Sequence, residues 1–517
     1  MTPTIFSPAQ LPCGRQLRNR LVKAALYEHL ATFYGGPPNG LHFALYATWS
    51  AHDWGMIITG NVQVSQTHLS LARDIVLPSD LSDDKLEPFR ALANAIHGQR
   101  EHQPLAIMQL SHAGRQSPNI LGGRLPFTAP LGPSRIRVGQ SVTGAASSIF
   151  HSLMFQTPKS MSIEAIDQVV SAFVHGARVA VEAGFDGIEL HAAHGYLLAQ
   201  FMSPKANKRT DEYSAHGLLF LSRIIHDIRL VVPSKFVLGV KLNSADETTA
   251  DALQYVQIIA SWSLVDFIEI SGGDYEKPDF LTESEASPDH RQARFAHFSH
   301  RAAQSMESIP SPSRPLILLT GGLSTPAHLS TALSSGHADL LGLGRASVIF
   351  PDLPQRVLNW NGQSEEPFIH QPNFRVKLFD RLPQIRLIGA GTIMAWYTVM
   401  LRRLAEGERS TGDLGALGGL VWMWLWFKPE FNALLNVQLV LRRLLIVVYV
   451  VFALGFAFGI NFFIHYSEAE TLFTILRRKS PVFHGQDLHV FPIQGVLETI
   501  YIHYETSLQD GTNVGGC

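Results

Sequence analysis

The sequence predicts an α/β protein: a (β/α)8 TIM barrel followed by a hydrophobic, membrane-associated C-terminal extension. Three observations predict it. Short apolar runs recur through roughly the first 350 residues, segments with helical signals lie between them, and polar side chains collect at the C-terminal ends of the runs.

The runs are RLVKAAL (20–26), GMIITGNV (55–62), PLAIMQL (104–110), GIELHAA (187–193), FVLGVKL (236–242), VDFIEIS (265–271), PLILLT (315–320) and DLLGLG (339–344). Most are continuously apolar rather than alternating, as strands buried on both faces of a parallel sheet are. Between the third and fourth lies SIEAIDQVVSAFVHGARVAVEAG (162–184), which reads as a helix with Ser162 as N-cap, Glu164 and Asp167 near its positive end and Gly184 as its stop. The Gly/Pro-rich stretch GGRLPFTAPLGPSRIRVGQSVTG, also between the third and fourth runs, reads as an inserted loop or small hairpin cap. An open doubly wound sheet is the alternative, but no G-x-G-x-x-G follows the first run as that fold's dinucleotide site requires.

The pattern breaks down from about Pro351, and the region from Arg386 onward is a different kind of sequence. We divide the chain into a barrel (1–385), interfacial apolar segments (386–430) and a tail (431–517). Leu444–Ile464 is uncharged and long enough to cross a bilayer core of about 30 Å, so it predicts a transmembrane helix. Arg442 and Arg443 directly before it predict a cytosolic barrel. The shorter, Trp- and Tyr-containing runs 387–401 and 414–427 suit interfacial or re-entrant packing.

Composition narrows the function. A net charge of −2 leaves no electrostatic footprint for nucleic acid. Two cysteines, Cys13 and Cys517, cannot supply an iron-sulfur cluster or a four-cysteine zinc site. The N-terminal MTPTIFSPAQ lacks the basic and apolar regions of a secretory signal.

Catalytic groups of a barrel sit at the C-terminal ends of its strands. Here those ends carry Tyr27 and Glu28; Gly60 and Asn61; Gln109 and His112; His191, His194 and Tyr196; Lys241 and Asn243; Ser271; Gly321 and Gly322; and Gly344 and Arg345. A phosphate on a barrel commonly sits on the loops after strands seven and eight, where Gly321 and Gly322 offer unobstructed N–H groups and Arg345 a guanidinium. His191 and His194 raise a metal reading, but the acidic candidates for a third ligand are Glu28, Glu189 and Glu269, and the set is incomplete. The plain alternative is that one of the two histidines is a core residue.

The blocks LRNRLVKAAL, GMIITGNVQV, MQLSHAGRQ, GFDGIELHAAHGYLLAQFMSP, NKRTDEY, GVKLNSAD, IEISGGDYE, TGG and GLGR resemble, in order and spacing over residues 4 to 358, the old yellow enzyme family of NADH:flavin oxidoreductases. The resemblance implies an FMN-dependent barrel that takes hydride from NADH or NADPH and passes it to an electron-poor C=C bond. Carried over residue by residue, it implies Gln109 and Lys241 at the flavin's pyrimidine edge and Gly322, Gly344 and Arg345, with Gly321 beside them, at its phosphate. Tyr27 and Gly60 stand with the cofactor contacts. His191 and His194 would donate to the carbonyl oxygen of a bound enone, and Tyr196 would protonate its α-carbon. Two N–H donors stabilise the enolate that hydride arrival creates, and a phenol with a pKa near 10 stays protonated at neutral pH.

The chain departs from the family in three places. Tyr27 stands where Thr or Cys usually bonds the flavin O4, SAHGLLFLSRII after NKRTDEY is shortened, and ETTADALQ lacks a usual insert. The branch with an iron-sulfur cluster is excluded by the missing cysteines. A metal-dependent barrel hydrolase or aldolase, and a degenerate membrane-bound barrel that only binds, remain the competing readings.

Overall fold

The computed structural model of the chain describes residues 4–139, 145–215, 217–243, 249–272, 288–360, 368, 386–408, 418–419 and 422–423. The chain divides into two units, Met1–Phe427 and Lys428–Cys517, and the described residues all fall in the first.

Eight strands form the barrel: β1 Leu21–Lys23, β2 Met56–Gln63, β3 Leu105–Ser111, β4 Gly187–Ala192, β5 Val237–Asn243, β6 Phe267–Ser271, β7 Leu316–Thr320 and β8 Leu340–Leu343. Each pairs in parallel with the next, and β8 returns to β1 through Leu341↔Leu21 and Gly342↔Val22. All eight apolar runs of the sequence are barrel strands. Their inward side chains have no water on either face, which is why the runs lack polar alternation.

The floor of the barrel interior is wholly apolar. Val22, Met56, Ile58, Ile107, Val237, Phe267, Leu318 and Leu340 form one cluster, closed from below by Leu11 and Leu17 of an N-terminal hairpin. Phe267 fills the centre at the expense of its paired neighbour. A Cβ on Gly239 would lie 2.1 Å from the Phe267 ring, so this ring needs a bare backbone opposite it. Burying such a ring contributes about 2 to 3 kcal/mol.

The helices, in chain order, are α1 Gly40–Ser50, α2 Asp83–His97, α3 Ala145–Met154, α4 Ile163–Glu182, α5 Leu197–Met202, α6 Leu219–Arg229, α7 Thr249–Ser261, α8 Pro288–Ser305, α9 Pro326–Ser334, α10 Arg345–Ile349, α11 Leu353–Leu358 and α12 Arg386–Ala405. Helix α4 begins as the sequence predicts, with Ser162 Oγ accepting from Ala165 N at 3.2 Å. Its buried face, Ile166, Val169, Val170, Phe173 and Ala177, lies on the barrel wall. Gly184 stops it in the left-handed region at φ 83°. The insertion before it is a loop that ends in a helix, α3, which the Gly/Pro-rich sequence did not suggest.

The run 387–401, expected at a membrane interface, lies in α12 and packs against α1 and α10. Ala395, Trp396, Tyr397 and Leu401 are buried there, so the apolar side chains that suggested lipid find protein instead. Of the second run, 414–427, residues 418–419 and 422–423 are described, and Met423 is buried. The span 444–464 and the tail 431–517 lie outside the described residues. Among the described residues no helix is long and apolar enough to cross a membrane.

Candidate active site

Strand register brings the rim residues together. Gln109 pairs with Glu189, Lys241 with His191 on one side and with Glu269 on the other, and alternate residues of a strand share a face. Glu189 and His191 therefore point the same way, two steps apart. Gln109, Glu189, Lys241 and Glu269 form a buried polar layer above the apolar floor. Lys241 Nζ lies 2.8 Å from Glu269 Oε1, and Gln109 Nε2 donates to Glu189 Oε2 at 2.5 Å. Burial opposes the charge on Lys241, but Glu269 and Glu189 outweigh it and hold the ammonium above its ordinary value. Burial, and then the adjacent Glu269, push Glu189 well above the usual carboxylate range.

Beyond β4 the chain makes the turn that two facing histidines require. His194 and Gly195 are both left-handed, at φ 55° and 71°. Asn243 Oδ1 accepts from His194 N at 3.0 Å and Gln116 Nε2 donates to His194 O at 2.9 Å, which holds the turn from both sides. His191 Nε2 and His194 Nδ1 thereby come within 3.0 Å. Burial and the nearby Lys241 lower His194 to about 3, and burial and His194 hold His191 well below its ordinary value. Both rings are neutral at neutral pH, so each carries a single N–H. Tyr196 caps α5, its ring 4.6 Å from that of His191, and its hydroxyl accepts from Asn61 Nδ2 at 3.3 Å. Ser271 Oγ lies 3.4 Å from His194 Nε2.

On the opposite wall, Gly321 and Gly322 take φ of 123° and 71°, and Gly344 opens α10 with Arg345 as its first residue. The Thr320 hydroxyl is buried without a hydrogen-bond partner, and Gly342 leaves it room, since a Cβ there would lie 1.9 Å from Thr320 Oγ1. Arg345 also faces α12. Burial raises the Tyr397 hydroxyl and the Arg345 guanidinium partly offsets that.

The expected cofactor positions Tyr27 and Gly60 also make contacts within the protein. The Tyr27 hydroxyl, aligned with a flavin contact, meets His29 Nδ1 at 2.9 Å. Gly60 donates its N–H to Glu28 Oε1 at 2.8 Å, and a Cβ there would lie 1.9 Å from Glu28 Oε2, so its smallness serves packing behind the rim. Glu28 is no rim carboxylate either. It is buried against α1, accepting from Tyr46 Oη at 2.5 Å, with Lys23 nearby lowered to about 7 by burial. Sequence reasoning missed Gln116 and Tyr46, which lie on connecting segments rather than strand ends. It saw Glu189 and Glu269 without their pairing to Gln109 and Lys241. The signal for that pairing is their two-residue spacing from His191 and Ser271.

The residues fit a flavin phosphate ester. An ammonium and an amide that each spend one donor on a carboxylate retain others, and an orphaned Thr320 hydroxyl stands beside the left-handed glycine pair 321 and 322. Fold and site together define a flavin-binding (β/α)8 oxidoreductase. The chain belongs to the NADH:flavin oxidoreductase / NADH oxidase family, whose sequence model matches residues 4–361.

Among curated relatives, the NADH-dependent flavin oxidoreductase iccE of Talaromyces variabilis is 32% identical over 77% of this chain and 97% of its own length. The corresponding iliE protein of Neonectria sp. (strain DH2) is 36% identical over 67% of this chain, which spans 46% of that relative. Among solved structures, morphinone reductase matches with a TM-score of 0.53 at 20% identity, covering 69% of this chain and 90% of that one. A 2-naphthoyl-CoA reductase complex matches at 0.59, also at 20% identity, over 70% and 53%. These two likenesses are of fold. The chain is an NAD(P)H-dependent FMN oxidoreductase of the old yellow enzyme type.

Proposed function

We propose that the protein reduces the C=C bond of an α,β-unsaturated carbonyl compound. The observation that carries this reading is the convergence of His191, His194 and Tyr196 at the rim beside Lys241 and Gln109. FMN, when bound, supplies hydride taken from NAD(P)H. Lys241 and Gln109 would hold its pyrimidine edge, and Gly321, Gly322, Gly344 and Arg345 its phosphate. The bond between His191 and His194 opens to admit the substrate's carbonyl oxygen, each neutral ring turning its N–H toward that atom. Two donors then meet the charge that develops on oxygen. Tyr196, oriented by Asn61, gives its proton to the α-carbon.

The competing metal reading lacks support, because the two histidines bond to each other and no group of three ligating side chains exists among the described residues. The names of the relatives favour NADH as donor. Stopped-flow kinetics of Tyr196→Phe tests the reading: reoxidation of the reduced flavin by an enone slows about 10² to 10⁴-fold while its reduction by NADH is nearly unchanged. Equal slowing of both half-reactions would give Tyr196 a structural role and sink the assignment.

The tail is the second part of the proposal. The uncharged run 444–464, preceded by Arg442 and Arg443, supports a membrane anchor with the barrel on the cytosolic side. Full-length protein should resist extraction by alkaline carbonate, and release under that treatment refutes the anchor.

A further inference from the structure

The polar layer under the rim contains more carboxyl groups than its single cation balances. Glu189 and Glu269 are both 0% exposed, Lys241 is the cation between them and the cofactor position, and Gln109 is neutral; Tyr196, the neutral His191 and His194, and Lys23 of β1 are the other titratable groups that interact with Lys241. Glu189 and Glu269 lie within hydrogen-bonding reach of each other, and Glu189 Oε1 and Glu269 Oε2 are buried with no donor group facing them among the described residues. Two ionised carboxylates in contact, with only acceptor oxygens between them, are not stable away from water, so the pair retains a proton. With Glu189 carrying it, Lys241 and Glu269 are a neutral ion pair and the layer has no net charge.

Hydride transfer disturbs this balance. A flavin bound as proposed would gain two electrons and one proton and so become one unit more negative, at the edge that Lys241 would face. The new charge competes with Glu269 for the ammonium. A like charge within a few ångströms raises the proton affinity of a carboxyl group on the order of ten- to a thousandfold.

We propose that Glu189 and Glu269 form a proton-sharing carboxyl pair that takes up one further proton from solvent when the cofactor is reduced, releasing Lys241 from Glu269 to face the new charge. The layer then holds two neutral carboxyl groups and one ammonium, which balances the reduced cofactor. Reoxidation returns the proton to solvent and restores the ion pair. The inference rests on the placement of the pyrimidine edge at Lys241 and Gln109. Both glutamates act through Lys241 and are positioning residues.

The test is the midpoint potential of FMN in the full-length holoprotein, measured by spectroelectrochemistry on either side of neutral pH. Hydride equivalents alone move a two-electron potential by about 30 mV per pH unit, and one further proton doubles this to about 60 mV. The wild type should show the steeper slope with the optical spectrum of anionic reduced flavin, and Glu189→Gln or Glu269→Gln should halve it. A wild-type slope near 30 mV, a neutral reduced-flavin spectrum, or a steep slope surviving in both variants overturns the proposal. The first two outcomes need no variant, so a misfolded mutant does not protect the idea. Lys241→Met separates the two levels: an unchanged potential there removes the placement of the cofactor edge, and the proposal with it, whereas a changed potential beside a shallow wild-type slope removes the proposal alone.

Discussion

The floor and the rim of the barrel interior are built on the same strands two to four residues apart, yet they share almost no chemistry. On β3 the floor residue is Ile107 and the rim residue Gln109; on β5 the pair is Val237 and, four residues on, Lys241; on β6 it is Phe267 and Glu269. The floor is held by apolar contact and closed by a hairpin, while the rim is held by ion pairs and hydrogen bonds among buried titratable groups. The difference teaches that one layer supplies stability and the other, at a cost in buried polarity, supplies chemistry.

The largest expected effect breaks the floor. Phe267→Ala removes a fully buried ring and should cost about 3 to 5 kcal/mol in denaturant-unfolding experiments. Flavin affinity of the folded fraction should barely change; a loss of affinity as large as the loss of stability would show that the two layers are not separable. The next effect belongs to the rim alone. Arg345→Ala should weaken FMN binding by about 1.5 to 3 kcal/mol, ten- to more than a hundredfold, with the unfolding midpoint of the apoprotein nearly unmoved. Unchanged flavin occupancy would take Arg345 out of the phosphate site.

The smallest effect uses pH, to which the floor is blind. His112, at the end of β3, is buried, and its Nδ1 accepts from Gly114 N at 3.0 Å, which requires the neutral ring. Burial, helped by Arg124, lowers it to about 3. The unfolded chain therefore binds the extra proton between about pH 6.5 and 3, and stability falls as pH drops through 6.5. At one pH unit below that value the histidine should account for about 1 kcal/mol, seen as a smaller acid-induced shift in the urea midpoint of His112→Gln. An identical shift in both proteins would mean that His112 is charged in the folded state.

The barrel was legible because its strands are buried on two faces, a condition few other segments meet. All eight runs are strands, and even the N-cap Ser162 stands where the sequence places it. The rim was legible as a list of strand ends but not as a network. Strand ends say which residues reach the rim; only register says that Lys241 lies between His191 and Glu269. The run 387–401 shows the opposite limit. Its apolar side chains and tryptophan require cover, and hydropathy does not distinguish lipid from the faces of α1 and α10 that provide it. Tyr27 likewise aligns with a flavin contact, while the partner of its hydroxyl, His29, is set by the local turn rather than by alignment.

The interlock of Gly239 and Phe267 has an evolutionary consequence. Neither position can drift alone: a side chain at 239 strikes the ring, and a smaller residue at 267 leaves a hole that the bare backbone of 239 does not fill. The two sites are expected to covary across homologous barrels, with bulk passing from one strand to its neighbour while the total volume of the layer stays constant.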